Sequence, residues 1–179
     1  RIYPYDNFAS HVIGHTNVDN LGISGLEYKF NQELKGIDGT LKIFTDAVGR
    51  ELPYGKNERV EPTDGQNVYL TVDEVVQFFT QKNLQKIIEE YHAKRAMGIV
   101  MEVKTGKILA METSPGYDLN NPRMKPQAMS EETYNNLTTE EKLTVWSEMW
   151  KNPIVAEVYE PGSIFKAVTA AAGLEENVV

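Results

Sequence analysis

The clearest pattern of apolar and polar positions lies between residues 71 and 92. Apolar residues fall at Val75, Phe78, Phe79, Leu84, Ile87, Ile88 and Tyr91, and the last four keep the i, i+3, i+4, i+7 spacing of one helical face. Ahead of them, Thr71-Val-Asp-Glu74 has capping-box spacing, and Asp73 is itself a candidate N-cap. A helix of about five turns, from about 72 to about 92, is predicted. The pattern then changes. Met97-Gly-Ile-Val-Met-Glu-Val103 and Ile108-Leu-Ala-Met111 are two apolar β-type runs, and the short Lys104-Thr-Gly-Lys107 linker between them predicts a hairpin closed by Ser114-Pro115-Gly116.

Residues 1–66 read as short strands and turns, punctuated by Pro4, Pro53 and Pro62 and by the turn dipeptides Asp38-Gly39 and Asp64-Gly65. So small a piece builds a small core and is expected to lean on a neighbouring domain. Asn120-Asn-Pro122 opens a polar excursion over about 123–151, in which Ser130-Glu-Glu132 and Thr139-Glu-Glu141 mark helix starts. Trp146 and Trp150, at i and i+4, read as packing residues, and the acidic pairs as a solvated face. At the end of the chain Glu160-Pro161-Gly162 breaks the backbone. Ser163 then begins an Ala-rich run, Ile-Phe-Lys-Ala-Val-Thr-Ala-Ala-Ala-Gly-Leu-Glu, apolar on nearly every side. Such a helix is expected to be buried, leaving Lys166 with little polar company.

Composition narrows the classes. Of 179 residues, 41% are apolar and 25% charged, the profile of a globular protein, and no run approaches the 18 apolar residues of a membrane span. Eighteen basic and 26 acidic residues give a net charge of −8, which argues against nucleic acid as a partner. The absence of Cys removes disulfides, thiolate metal sites and Cys nucleophiles. His11 and His15 have metal-ligand spacing, but Gly14 lies between them and no third ligand is evident, so the pair reads as solvated or hydrogen-bonded. No metal or cofactor is expected. The chain opens on Arg1 without a leader, so any signal or anchor is expected upstream.

The chemistry-bearing pattern is Ser163-Ile-Phe-Lys166. A serine hydroxyl is a weak nucleophile until a base takes its proton. Residues three apart on a helix share a face, so Ser163 and Lys166 can come within hydrogen-bond reach. A lysine acts as base only when neutral, which burial and the positive end of a helix both favour. The free N–H groups of a helix N-terminus can also help hold an oxyanion. Alone, the tetrapeptide is a common pattern and reads rather as an N-cap serine followed by a snorkelling surface lysine.

The wider context decides between these. Tyr159-Glu-Pro-Gly-Ser-Ile-Phe-Lys166 resembles the active-serine segment of the penicillin-binding proteins, with Ile164 where Thr or Ser is usual. Gly98-Ile-Val-Met-Glu-Val-Lys-Thr-Gly-Lys-Ile-Leu-Ala-Met111 is similar to the first hairpin of their transpeptidase domain, and Ser114-Pro-Gly-Tyr-Asp-Leu-Asn-Asn-Pro122 to the loop after it. Arg1-Ile-Tyr-Pro, Ala9-Ser-His-Val-Ile-Gly14, Gly25-Leu-Glu27, Asn31-Gln-Glu-Leu-Lys-Gly36 and Asp46-Ala-Val-Gly49 resemble the pedestal of the class B branch. The order is collinear from residue 1 to 179. Lys104-Thr105-Gly106 mimics the family's third motif, but it precedes Ser163 and sits in a tight hairpin turn, so it reads as the turn.

The resemblance implies an α+β fold, with a β-rich pedestal over 1–66 and the first part of a transpeptidase domain over 67–179. In the family that domain is an antiparallel sheet covered by helices, so only its first two strands and the active-serine helix are expected here. It implies a peptidoglycan D-Ala-D-Ala transpeptidase with Ser163 as nucleophile and Lys166 as general base, acting on stem peptides and acylated by β-lactams. The intact protein is expected at the cell membrane on an upstream helix, its domains extracytoplasmic, beside a polytopic glycan polymerase of the elongation, division or sporulation machinery. The second and third motifs do not occur after Ser163, so the chain is expected to be a fragment, inert by itself. A non-catalytic cell-wall scaffold and a β-lactam sensor or β-lactamase relative stand as alternatives.

Overall fold

The computed structural model describes residues 1–48, 50 and 58–178; Gly49, Pro53 and Val179, named above, lie outside them. The described chain is α+β. Three short helices, α1 (Ser10–Ile13), α2 (Gly25–Lys29) and α3 (Asn31–Lys35), precede a small antiparallel pair, β1 (Thr40–Lys42) and β2 (Glu58–Val60). The long helix α4 (Glu74–Tyr91) leads into the antiparallel hairpin β3 (Ala96–Met101) and β4 (Ile108–Ser114). Then come α5 (Glu131–Asn135), α6 (Thr139–Trp150) and α7 (Pro153–Ala156), a 3₁₀ turn over Gly162–Phe165, and α8 (Lys166–Glu175).

Helix α4 forms where predicted, with one change at its start. The Asp73 carboxylate accepts the Val76 N–H at 2.9 Å and is the N-cap, whereas the Thr71 hydroxyl donates to the Ile108 carbonyl at 2.7 Å. A hydroxyl so committed to β4 is not free to close a capping box. At the far end His92 adopts φ 50°, the left-handed conformation that ends many helices. The buried face of α4 is also shifted. It runs through Gln77, Thr80, Leu84 and Ile88, with Leu84 lying over Gly98 of β3, while Phe78, Phe79, Ile87 and Tyr91 are exposed.

The β3–β4 hairpin is the centre of the fold. Ala110 is completely buried, and the ladder runs from Ala96↔Ser114 to Met101↔Ile108 with a bulge at Val100/Met101. Lys104-Thr105-Gly106 lies in the connecting turn, with the Gly106 N–H donating to the Glu102 carbonyl at 2.8 Å and Gly106 at φ 73°. The hairpin-turn reading of this tripeptide therefore holds.

Two dipeptides expected as turns are not turns. Asp38-Gly39 is extended chain between the Ile37↔Thr63 bridge and β1, and Asp64-Gly65 follows that bridge. A Cβ on Gly39 would lie 2.6 Å from the Val60 carbonyl oxygen, and one on Gly65 would lie 2.2 Å from that of Leu34. These glycines permit close backbone approach instead.

Residues 1–30 lean on the rest, as their small size requires. The Ser10 hydroxyl accepts the Tyr117 N–H at 3.2 Å, the Asp6 carbonyl accepts the Leu119 N–H at 3.0 Å, and Asn120 pairs with both backbone groups of Tyr3. His11 bonds the Met149 carbonyl at 3.1 Å. His15 meets Ser24 Oγ at 3.0 Å and Tyr117 OH at 3.3 Å, and packs edge-on to Trp150 with ring centroids 4.6 Å apart. Burial, reinforced by the Arg123 charge, pushes His15 down to about 4, and burial pushes Tyr117 up to about 12. Both rings of the His pair are thus part of the seam between the first 30 residues and α6. Trp146 and Trp150 stack at 6.5 Å and donate to the carbonyls of Met124 and Pro122, which fixes the polar excursion to α6.

Candidate active site

The approach to Ser163 begins at α7, whose first turn is capped by Asn152 accepting the Ile154 N–H at 3.1 Å and by Pro153 at its first position. Glu157 ends α7, its N–H donating to the Pro153 carbonyl at 3.0 Å. An extended stretch follows to Pro161, and Gly162 takes φ 51°, a left-handed conformation that a side chain would disfavour. Ser163 then sits in the 3₁₀ turn Gly162–Phe165, and Lys166 opens α8.

The two residues share a face. The Lys166 N–H donates to the Ser163 carbonyl, the i to i+3 bond of a 3₁₀ turn, and at three residues per turn the side chains of i and i+3 eclipse. No hydrogen bond joins Ser163 Oγ to Lys166 Nζ among the described residues, and both side chains are exposed. The Ser163 amide donates to no backbone acceptor among the described residues, as expected at the start of a helix.

The expected burial of this helix is not found. Val168 is 54% exposed and Leu174 67%, and α8 is open along its length apart from the half-covered Gly173. An all-round apolar sequence favours burial only where other elements surround the helix. Among the described elements only the preceding 3₁₀ turn makes more than sparse contact with α8.

One contact beside the serine has no signature in the sequence. Arg95, just before β3, grips Glu157 with both guanidinium nitrogens, at 3.0 and 2.5 Å. The two lie 62 positions apart, and nothing in local spacing links them. Below this pair, Met97, Ile99, Pro153, Ile154, Tyr159 and Ile164 line an apolar cavity of about 420 Å³. Ile164, the neighbour of Ser163, thereby shares a cavity with β3.

Comparison with known proteins fits this layout. Residues 1–70 match the model of the penicillin-binding protein dimerisation domain, and residues 96–179 that of the penicillin binding protein transpeptidase domain. The chain belongs to the penicillin-binding proteins. The order of the two domains is that of the class B branch. Stage V sporulation protein D of Bacillus subtilis is 36% identical over 179 residues, 100% of this chain and 25% of that protein. The peptidoglycan D,D-transpeptidase FtsI of Escherichia coli is 30% identical over 182 residues, again 100% of this chain and 27% of that protein. Penicillin binding protein 3 of Mycobacterium tuberculosis, solved in complex with aztreonam, superposes with a TM-score of 0.68 at 25% identity, over 99% of this chain and 32% of that one. The chain thus spans about a quarter of the length of these curated relatives. No described helix is long and apolar enough to cross a membrane.

Proposed function

We propose that this penicillin-binding protein chain contributes the nucleophile of a peptidoglycan D-Ala-D-Ala transpeptidase, and that in the whole protein Ser163 is acylated by stem peptides and by β-lactams. The observation that supports this best is the placement of Ser163 and Lys166 on one face of a helical start, inside the region matched by the transpeptidase model. Residues 1–66 serve as the pedestal, and residues 67–179 begin the catalytic domain.

This chain carries groups for the acylation step. Ser163 Oγ attacks the carbonyl of the D-Ala-D-Ala bond while Lys166 Nζ takes the hydroxyl proton. The negative charge that develops on the carbonyl oxygen is met by N–H groups at the helix start, the Ser163 amide among them. The C–N bond breaks, and D-Ala leaves as a free amine carrying the proton returned by Lys166. The Ser163 ester then reacts with the amine of a second stem peptide, which forms the cross-link and restores the serine. Exposed as it is, α8 requires the remainder of the catalytic domain to cover it and exclude water. The protein is read as membrane-anchored upstream, extracytoplasmic, and working with a polytopic glycan polymerase.

The test uses the whole protein with a thioester analogue of a D-Ala-ended stem peptide and a D-amino acid acceptor. Acyl exchange is expected in the wild type and is lost in Ser163→Ala. Equal exchange by both proteins would exclude Ser163 as the nucleophile.

A further inference from the structure

Between Glu157 and Pro161 the chain has little to hold it. Val158 is fully exposed and Tyr159 is 65% exposed, and no hydrogen bond ties residues 158–160 to the rest of the molecule among the described residues. The last anchor before Ser163 is the two-pronged grip of Arg95 on Glu157, six residues ahead of the serine. Val158, Tyr159 and Ile164 line one cavity with Met97 and Ile99 of β3, and Ile164 itself is 70% exposed. Among the hydrogen bonds and ion pairs of the described residues, the tie between this segment and the start of β3 is therefore the Arg95–Glu157 pair.

We propose that the Arg95–Glu157 pair is a positioning clasp that fixes the Ser163 turn against β3 in an attacking orientation. This rests on the reading of Ser163 as nucleophile. An ion pair at this exposure, 40% for Arg95 and 38% for Glu157, contributes little to global stability unless its geometry is two-pronged. Here it is, and a guanidinium fork fixes direction as well as distance. The hydrogen bond from Arg95 holds the Glu157 carboxyl below the usual carboxylate range, with the charges of Arg95 and Lys151 adding to it, so Glu157 stays ionised at neutral pH. Small errors in the placement of a nucleophile cost rate far out of proportion to stability. Neither residue touches substrate; both act through the backbone that carries Ser163.

The experiment follows acylation of the whole protein by a fluorescent penicillin, separating noncovalent affinity from the acylation rate constant. Arg95→Met and Glu157→Gln are each expected to lower the rate constant about tenfold, with affinity changed less than about twofold and the melting midpoint unmoved. Arg95→Lys, which keeps charge but loses the fork, falls between. The swapped double variant, Arg95→Glu with Glu157→Arg, recovers most of the rate. Amide exchange over residues 158–165 rises in the single variants and returns in the swap. Wild-type rates in the single variants, or losses that track melting and are not recovered by the swap, would overturn the clasp while leaving Ser163 in place. A wild type that forms no adduct overturns the reading of Ser163 and, with it, the clasp's role in acylation.

Discussion

Replacing Glu112 by Gln is expected to stabilise the protein at neutral pH and to remove a fall in stability between about pH 4.5 and about pH 8. Glu112 lies on β4 beneath α4, 2% exposed, with Oε2 accepting from Gln77 Nε2 at 2.7 Å and Oε1 without a partner. Gln77, itself wholly buried, also accepts the Met111 N–H at 2.9 Å, so the cluster locks α4 to β4. Burial pushes the Glu112 carboxyl up to about 8 from 4.5, and the Gln77 bond only partly offsets this.

The sign follows from proton counting. Below pH 4.5 both folded and unfolded forms hold the proton, and the burial costs nothing electrostatic. Between the two values the unfolded chain loses its proton and the folded one keeps it, so stability falls as pH rises and levels off above about 8. At pH 7 the cost is about 3 kcal/mol. A carboxamide keeps the bond to Gln77 Nε2 and never ionises. Melting midpoints of parent and Glu112→Gln should coincide near pH 4 and separate by several degrees at pH 8. Curves that stay parallel across this range would show that Glu112 is not buried as a neutral acid.

The second large effect concerns Lys166. Both Lys166→Met and Lys166→Arg are expected to slow acylation of Ser163 by about a thousandfold, as removal of a proton-accepting base does. The arginine variant carries the argument, because a guanidinium keeps the charge but does not give up its proton. If Lys166 acts only through its charge, Lys166→Arg should retain most of the rate. The measurement is single-turnover acylation of the whole protein, with the melting midpoint checked for each variant.

Much of the fold could be read from the sequence, and the misses share a cause. Helix α4 and the β3–β4 hairpin were legible because each is long enough for its period to repeat. The helices α1 to α3 are four or five residues each, little more than one turn, too short for any period to show. Gly39 and Gly65 looked like turn residues because sequence cannot distinguish a glycine needed for bending from one needed for contact. The packed face of α4 was displaced because its most buried residue is polar. Gln77 lies seven positions before Leu84 and so on the same stripe, and a polar residue there was the available sign of a buried partner such as Glu112. Ser163 and Lys166 stood out through their neighbours Glu160-Pro-Gly162 rather than through spacing alone. Arg95 and Glu157 left no local trace, since only the tertiary fold brings them together.

The most direct test is the intact mass of the whole protein after incubation with benzylpenicillin, beside Ser163→Ala. A single penicilloyl adduct on the wild type and none on the variant is the expected result. A folded wild type that gains no mass, or a variant that gains the same mass, would contradict Ser163 as the acylated nucleophile.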